Sequence, residues 1–219
     1  MDDTMRYFNE MNLLQSDVQK RTKTAKKFKH DILLLLKNQF MDLVNGVFLH
    51  EKTSQEYRDE LMDLYISMAT DSTDSEVIWK AKRFSNYIQD ATEREVLKQN
   101  GNAKYTMSVQ FGYPVKKEDI PKSVCEMFGD IRAENIALNE TNWIYNYQNH
   151  VERVEKGQLN HTWVSMKDEK VRINHFHADG QTVPIGEPFT VGGYKMMFPM
   201  DDSLGAPISE IIGCRCIEL

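Results

Sequence analysis

Cysteine is scarce in this chain, with three in 219 residues, at positions 125, 214 and 216. Three are too few for a disulfide framework, and Cys214 and Cys216 stand one residue apart, where closing a bridge strains the geometry. A reducing compartment is expected. Long apolar runs are also missing: the longest strongly apolar stretch is Ile32 to Leu36, far short of the ~20 residues a spanning helix needs. The opening residues, MDDTMRYFNEMN, lack the basic and apolar zones of a signal peptide. Neither a membrane nor secretion is expected. There is no internal repeat and no low-complexity tract, which excludes solenoids and long disordered linkers.

What is present suits a globular chain. Hydrophobic residues make up 41% and charged residues 27%, enough to fill a core, and single domains most often run to roughly 100–150 residues, so two parts are expected. The net charge of −6 argues against a protein that coats duplex DNA over its whole surface. Locally the balance reverses. Lys20, Arg21, Lys23, Lys26, Lys27 and Lys29 fall within ten residues that contain no acid, leaving −12 over the rest of the chain.

From about Leu14 to Asn45 the pattern predicts one long helix, because Val18, Ala25, Ile32, Leu36 and Leu43 recur near one angular position at 100° per residue. Gly46 interrupts it. Lys20, Lys23 and Lys27 fall opposite that apolar stripe, either as a solvated helix face or as a contact for nucleic acid, phosphate or another anionic partner. A second helix is expected from about Ser54, a candidate N-cap, through Leu61, Leu64, Tyr65 and Met68. A third follows the polar Asp71 to Ser75 cluster and carries Val77, Trp79, Phe84, Tyr87, Ile88 and Ala91 towards Leu97.

Gln99, Asn100, Gly101 and Asn102 form a turn-rich break, so the domain boundary is placed between 1–102 and 103–219. Thr106 to Phe111 reads as a β-prone run. Helices are expected from about Lys117 to Phe128, with Pro121 in the first turn, and from Asp130 to Lys156, stopped by Gly157. Beyond Gly157, short runs at His161 to Met166, Lys195 to Phe198 and Ile211 to Ile217 alternate with loops. The fold class is therefore α+β: a helical N-terminal region, then a small C-terminal domain of helices packed on a short sheet.

The chemistry-bearing residues crowd into the last third. If Gly213 to Ile217 is extended, Cys214 and Cys216 project from one face, and the same holds for His175 and His177 if their backbone is extended. Two thiolates and two imidazoles are a set that zinc accepts in tetrahedral geometry. A nuclease site would use the same region differently, with His175 as general base, Asp168 orienting it, and Arg172 or Arg215 stabilising a phosphate-centred transition state. A third reading is a buried polar cluster in which Asp168 pairs with Arg172 and His175 donates to a backbone carbonyl. In the helix before them, Glu140 is either a charge partner for Arg172 or Arg215 or a plain exposed acid.

Taken in order, Arg132, Ile136–Ala137 with Glu140–Thr141, Trp163, Asp168 with Val171–Arg172 and His175, Asp179–Gly180, Pro199 and finally Cys214–Arg215–Cys216 resemble the phage Mu F-like minor head protein family. The resemblance covers about Asp130 to Ile217. It implies a tailed-phage protein present in few copies inside the head, near the portal vertex, made in the host cytoplasm. Such a protein acts in head assembly, with portal, capsid or scaffold proteins as partners, and in DNA packaging or delivery. It implies a structural role rather than an enzyme, and no certain cofactor. By position, Glu140, Asp168, Arg172, His175, Gly180, Cys214 and Cys216 match the family pattern; His177 does not. Gly213 stands where the family commonly has Asn. With three residues after Cys216, no appended effector is expected.

Overall fold

The computed structural model describes residues 3–98 and 102–219, so the turn expected at Gln99 to Gly101 lies outside the described residues, and only Asn102 of that break is placed. The chain divides into two compact units that are not contiguous in sequence. One comprises the residues up to Ala25 together with Leu138–Leu219, and the other is Lys26–Ala137. A boundary at residue 102 therefore falls inside the second unit.

The Lys26–Ala137 unit is helical. Helix α1 (Asp3–Asn45) is longer than its apolar period predicted and supplies Phe28, Ile32, Leu36 and Leu43 to this core. These residues recur at four- and seven-residue spacings, the intervals that keep one face of a helix against its neighbours. Helix α2 (Glu51–Ile66) adds Tyr57, Leu61 and Tyr65, and α3 (Ser75–Leu97) adds Val77, Ala81, Phe84 and Ile88. The Phe84 ring lies 5.1 Å from Tyr65 and 6.3 Å from Phe28. Asp74 caps α3 by accepting from the backbone N–H groups of Glu76 and Val77, whereas α2 starts at Glu51, before the expected cap Ser54. Trp79 and Tyr87 of the same helix are exposed.

The β-prone run at Thr106 to Phe111 is helix instead: α4 spans Ala103–Phe111. Local chemistry explains the outcome. The Asn102 side chain caps the helix on Tyr105 N, the buried Tyr105 hydroxyl donates to Val96 O at 2.9 Å, and Gly112 ends it at φ +66°. A left-handed C-terminal glycine satisfies the last carbonyls without a Cβ clash. The preceding turn is equally demanding, since a Cβ on Gly46 would sit 2.6 Å from Gly112 O. Pro121 is not inside a long helix; it precedes the short α5 (Lys122–Glu126), after a 3-10 turn at Lys117–Asp119. Helix α6 (Asp130–Glu155) begins in this unit, where Arg132 donates to Met127 O, Ile88 O and Thr92 Oγ1.

The other unit holds the sheets. Strand β1 (Asn160–Val164) lies between β2 (Thr182–Pro184) and β5 (Ile217–Glu218), antiparallel to both, and β3 (Phe189–Val191) forms a hairpin with β4 (Tyr194–Met196). The His161 and Trp163 side chains alternate with Asn160 and Thr162 and are buried, as one face of a half-buried strand requires. Two short helices complete it, α7 (Ile173–Ala178) and α8 (Ile208–Ile211). Of the expected strand at Ile211 to Ile217 only Ile217 is strand, because Ile211 belongs to α8 and a turn follows it. Leu14 of α1 packs with Val164 and Ile217.

Candidate functional site

The C-terminal segment after α8 turns through Gly213 at φ +69° and runs through residues 214–216 into β5 at Ile217. Along it Cys214 and Cys216 turn inward, while Arg215 between them reaches Asp168 instead. Both thiols are buried, and each sulfur lies 3.4 Å from His175 Nδ1. The opposite nitrogen, His175 Nε2, donates to Glu210 Oε2 at 3.0 Å, and Asn174 Nδ2 donates to the other Glu210 oxygen at 2.7 Å. Trp163, fully buried, closes the site edge-on against His175, with ring centroids 5.5 Å apart.

Electrostatics follow this geometry. The Cys216 thiol hydrogen-bonds to Cys214 and, against burial, holds Cys214 well below the ordinary thiol range, with His175 adding to the effect. Cys216 is pushed up by the same bond and by burial. Burial alone would lower the His175 pKa, but its contact with Cys214 and its bond to Glu210 outweigh this and raise it.

The sequence-derived residues separate into those the fold brings together and those it does not. His175, Cys214 and Cys216 converge as expected. His177 does not join them: residues 173–178 are helical rather than extended, so a two-residue step turns the second imidazole about 200° away, where it is exposed. Asp168 is also elsewhere. Its carboxylate takes both guanidinium nitrogens of Arg215 at 2.7 Å, which lowers its pKa, and it neither orients His175 nor pairs with Arg172. Arg172 instead donates to Ile212 O. His175 donates to a carboxylate rather than a backbone carbonyl. Glu140 accepts from Asn139 Nδ2 at 2.9 Å. Gly180, at φ +77°, gives its N–H to Trp163 O at 2.8 Å and turns α7 into β2, while Asp179 accepts from Ser165 N.

Sequence reading missed two features. Glu210 is the first; nothing in its flanking residues marks it as the imidazole's partner. The second is a stripe of asparagines on α6. Asn139 accepts from Gly213 N at 3.0 Å, Asn142 donates to Cys214 O at 3.2 Å, and Asn146 donates to both Cys216 O and Pro199 O at 3.0 Å. Spacings of three and four put these side chains on one helix face, a signal the sequence does carry. A further buried group joins His150 Nδ1 and His161 Nδ1 to the Glu218 carboxylate, at 3.1 Å each, and His161 Nε2 donates to Glu187 O. Burial would raise Glu218, but the two imidazoles outweigh it and hold it low.

In the basic segment of α1, Lys20, Lys23, Lys26 and Lys27 are exposed. Arg21 is not part of that face. It is buried, ion-paired to Asp17, and donates to Asn146 Oδ1 at 2.8 Å. Lys29 bonds Asp130 and Glu134. No helix among the described residues is long and apolar enough to cross a membrane.

The family model described as Phage Mu protein F like protein matches residues 86–218, more than half of the chain. No match to the chain was found among curated proteins or among solved structures.

Proposed function

Because the chain belongs to the Phage Mu protein F like family, a phage head-related family, we propose that it is a minor head protein seated inside the capsid at the portal vertex. There it serves head assembly and the packaging or delivery of DNA. The family match over residues 86–218 carries this reading. Partner binding through helical surfaces is supported by a groove of about 540 Å³ in the Lys26–Ala137 unit, lined by Leu43, Phe48, Val96, Val109 and Phe111 among others. Leu97, Phe111 and Tyr113 expose more than half of their surface there. Apolar surface of this kind on a polar molecule marks a contact site.

A structural role rather than catalysis is supported by the state of the residues a nuclease would use. His175 is 2% exposed and engaged on both ring nitrogens, and Arg172 and Asp168 are bound to other groups. The cavity lined by Arg172 and His175 is about 20 Å³, too small for a nucleotide. A general base needs hydrogen-bond reach to a substrate proton.

The test is made on particles. Heads produced with the tagged chain contain it in low copy, protected from protease until the head is opened, and the portal protein from the same genome retains it. Phe111→Ser with Tyr113→Ser weakens that retention. Absence of the chain from purified heads and assembly intermediates would sink the proposal, and DNA cleavage lost in His175→Ala would replace it with the nuclease.

A further inference from the structure

We propose that His175, Cys214 and Cys216 bind one zinc ion, with Glu210 as the outer partner of the imidazole and a water-sized ligand in the fourth position. This proposal does not depend on where in a particle the protein acts. The ligand atoms of the three residues all lie within 4.8 Å of one another, with both sulfurs 3.4 Å from Nδ1. Zinc bonds of about 2.0–2.3 Å in a tetrahedron separate neighbouring donors by roughly 3.5–3.8 Å, so the ion fits after a small outward adjustment of the side chains.

The imidazole is already set as a ligand. A carboxylate only accepts when ionised, so the bond from Nε2 to Glu210 keeps that hydrogen on Nε2 and makes Nδ1, which faces the two sulfurs, the nitrogen that gives its lone pair to a metal. A carboxylate behind a ligating histidine fixes the ring and raises its basicity. The segment bearing the thiols is equally fixed, since Asn139, Asn142 and Asn146 hold its backbone at Gly213, Cys214 and Cys216.

Three ligands leave one position. The cavity of about 20 Å³ that touches His175 and both cysteines, and is also lined by Met166 and Arg172, has room for one water, since a water needs roughly 10–15 Å³ of such space. Two thiolates and an imidazole form a soft donor set that suits zinc over magnesium or calcium. A Cys214–Cys216 disulfide is the less favourable use of the pair. Cysteines one residue apart strain a bridge between them, and a bridge leaves the Glu210–His175 arrangement without a role.

The full chain, prepared with reductant and zinc and then freed of loosely held metal, is expected to carry roughly one zinc per chain by elemental analysis. Cobalt in its place should show strong thiolate-to-metal charge-transfer absorption. Cys214→Ser and Cys216→Ser each remove the metal and that absorption, whereas His177→Ala keeps both. Glu210→Gln weakens zinc by roughly 10- to 100-fold while leaving the charge-transfer bands in place. If a cysteine variant does not fold, chelator titration of the unaltered chain replaces it, with zinc leaving in step with the appearance of two reactive thiols. The proposal is overturned by a chain without zinc, by thiols that react equally fast with and without zinc, by equal loss of metal in His177→Ala, or by a mass two hydrogens low in the zinc-loaded reduced sample.

Discussion

A buried amide that satisfies three partners at once is costly to remove. Asn146 receives a bond from Arg21 and gives one each to Pro199 O and Cys216 O, and it is fully buried. Asn146→Ala leaves those groups without partners, so a loss of about 3 kcal/mol is expected from urea unfolding. Asn142→Ala, at a partly buried bond, should lose about 1 kcal/mol. Equal midpoints for the two variants would contradict the stripe's role. Gly213 belongs to the same account. Its φ of +69° is a conformation that glycine and asparagine both tolerate, so the backbone here is compatible with the Asn that the resemblance implies. Gly213→Asn should therefore cost much less than Gly213→Val, measured by thermal unfolding.

Glu93 gives a pH-dependent case. Burial pushes its pKa up, but bonds from Ser54, Gln89 and Arg58 outweigh this and hold it below the ordinary range. A depressed folded pKa means that the carboxylate's contribution is fully present above about pH 5 and fades as pH falls through that lowered value. The stability gap between the unaltered chain and Glu93→Gln should be widest near neutrality and close in acid. A gap that stays constant from pH 7 to pH 3 in denaturant titrations would rule this out.

At the scale of elements, α4 and α7 show where periodicity misleads. Thr106 to Phe111 has strand composition, yet the Asn102 cap, the anchored Tyr105 and the glycine stop make it helix. Asn102→Ala should destabilise the Lys26–Ala137 unit by about 1–2 kcal/mol, read from the unfolding midpoint, because the cap bond to Tyr105 N and the bond to Asp119 O are both lost. An unchanged midpoint would mean that tertiary contacts alone hold the helix. For α7 the consequence is functional. His175 and His177 share a face only on a strand, so helix formation kept one and discarded the other. The long amphipathic helices were legible because their apolar residues repeat over many turns. The short strands were not, since two or three residues carry no period to read, and β2 and β3 passed unnoticed.

For the molecule as a whole, charge is the property most open to test. The exposed lysines of α1 stand against a net charge of −6. If Lys20, Lys23 and Lys27 contact packaged DNA, replacing all three with Glu should weaken retention on DNA. It should also lower the slope of log affinity against log salt by roughly 3, at about 0.9 per phosphate contact. Unchanged retention returns them to a solvated face. Arg21, in the middle of that run, is buried instead. A count of charges cannot separate it from its neighbours, because only its position against Asn146 and Asp17 takes it out of solvent.

By itself the sequence determined the α+β class, the long helices, the family and the pairing of Cys214 with Cys216 on one face, because each rests on local spacing or on an ordered set of motif residues. Only the tertiary structure decided that Glu210 and not Asp168 holds His175, that Asp168 takes Arg215, and that residues 3–25 share a compact unit with 138–219. Those choices depend on which distant segments meet, and side-chain partners 35 or more residues apart leave no periodic trace in the chain.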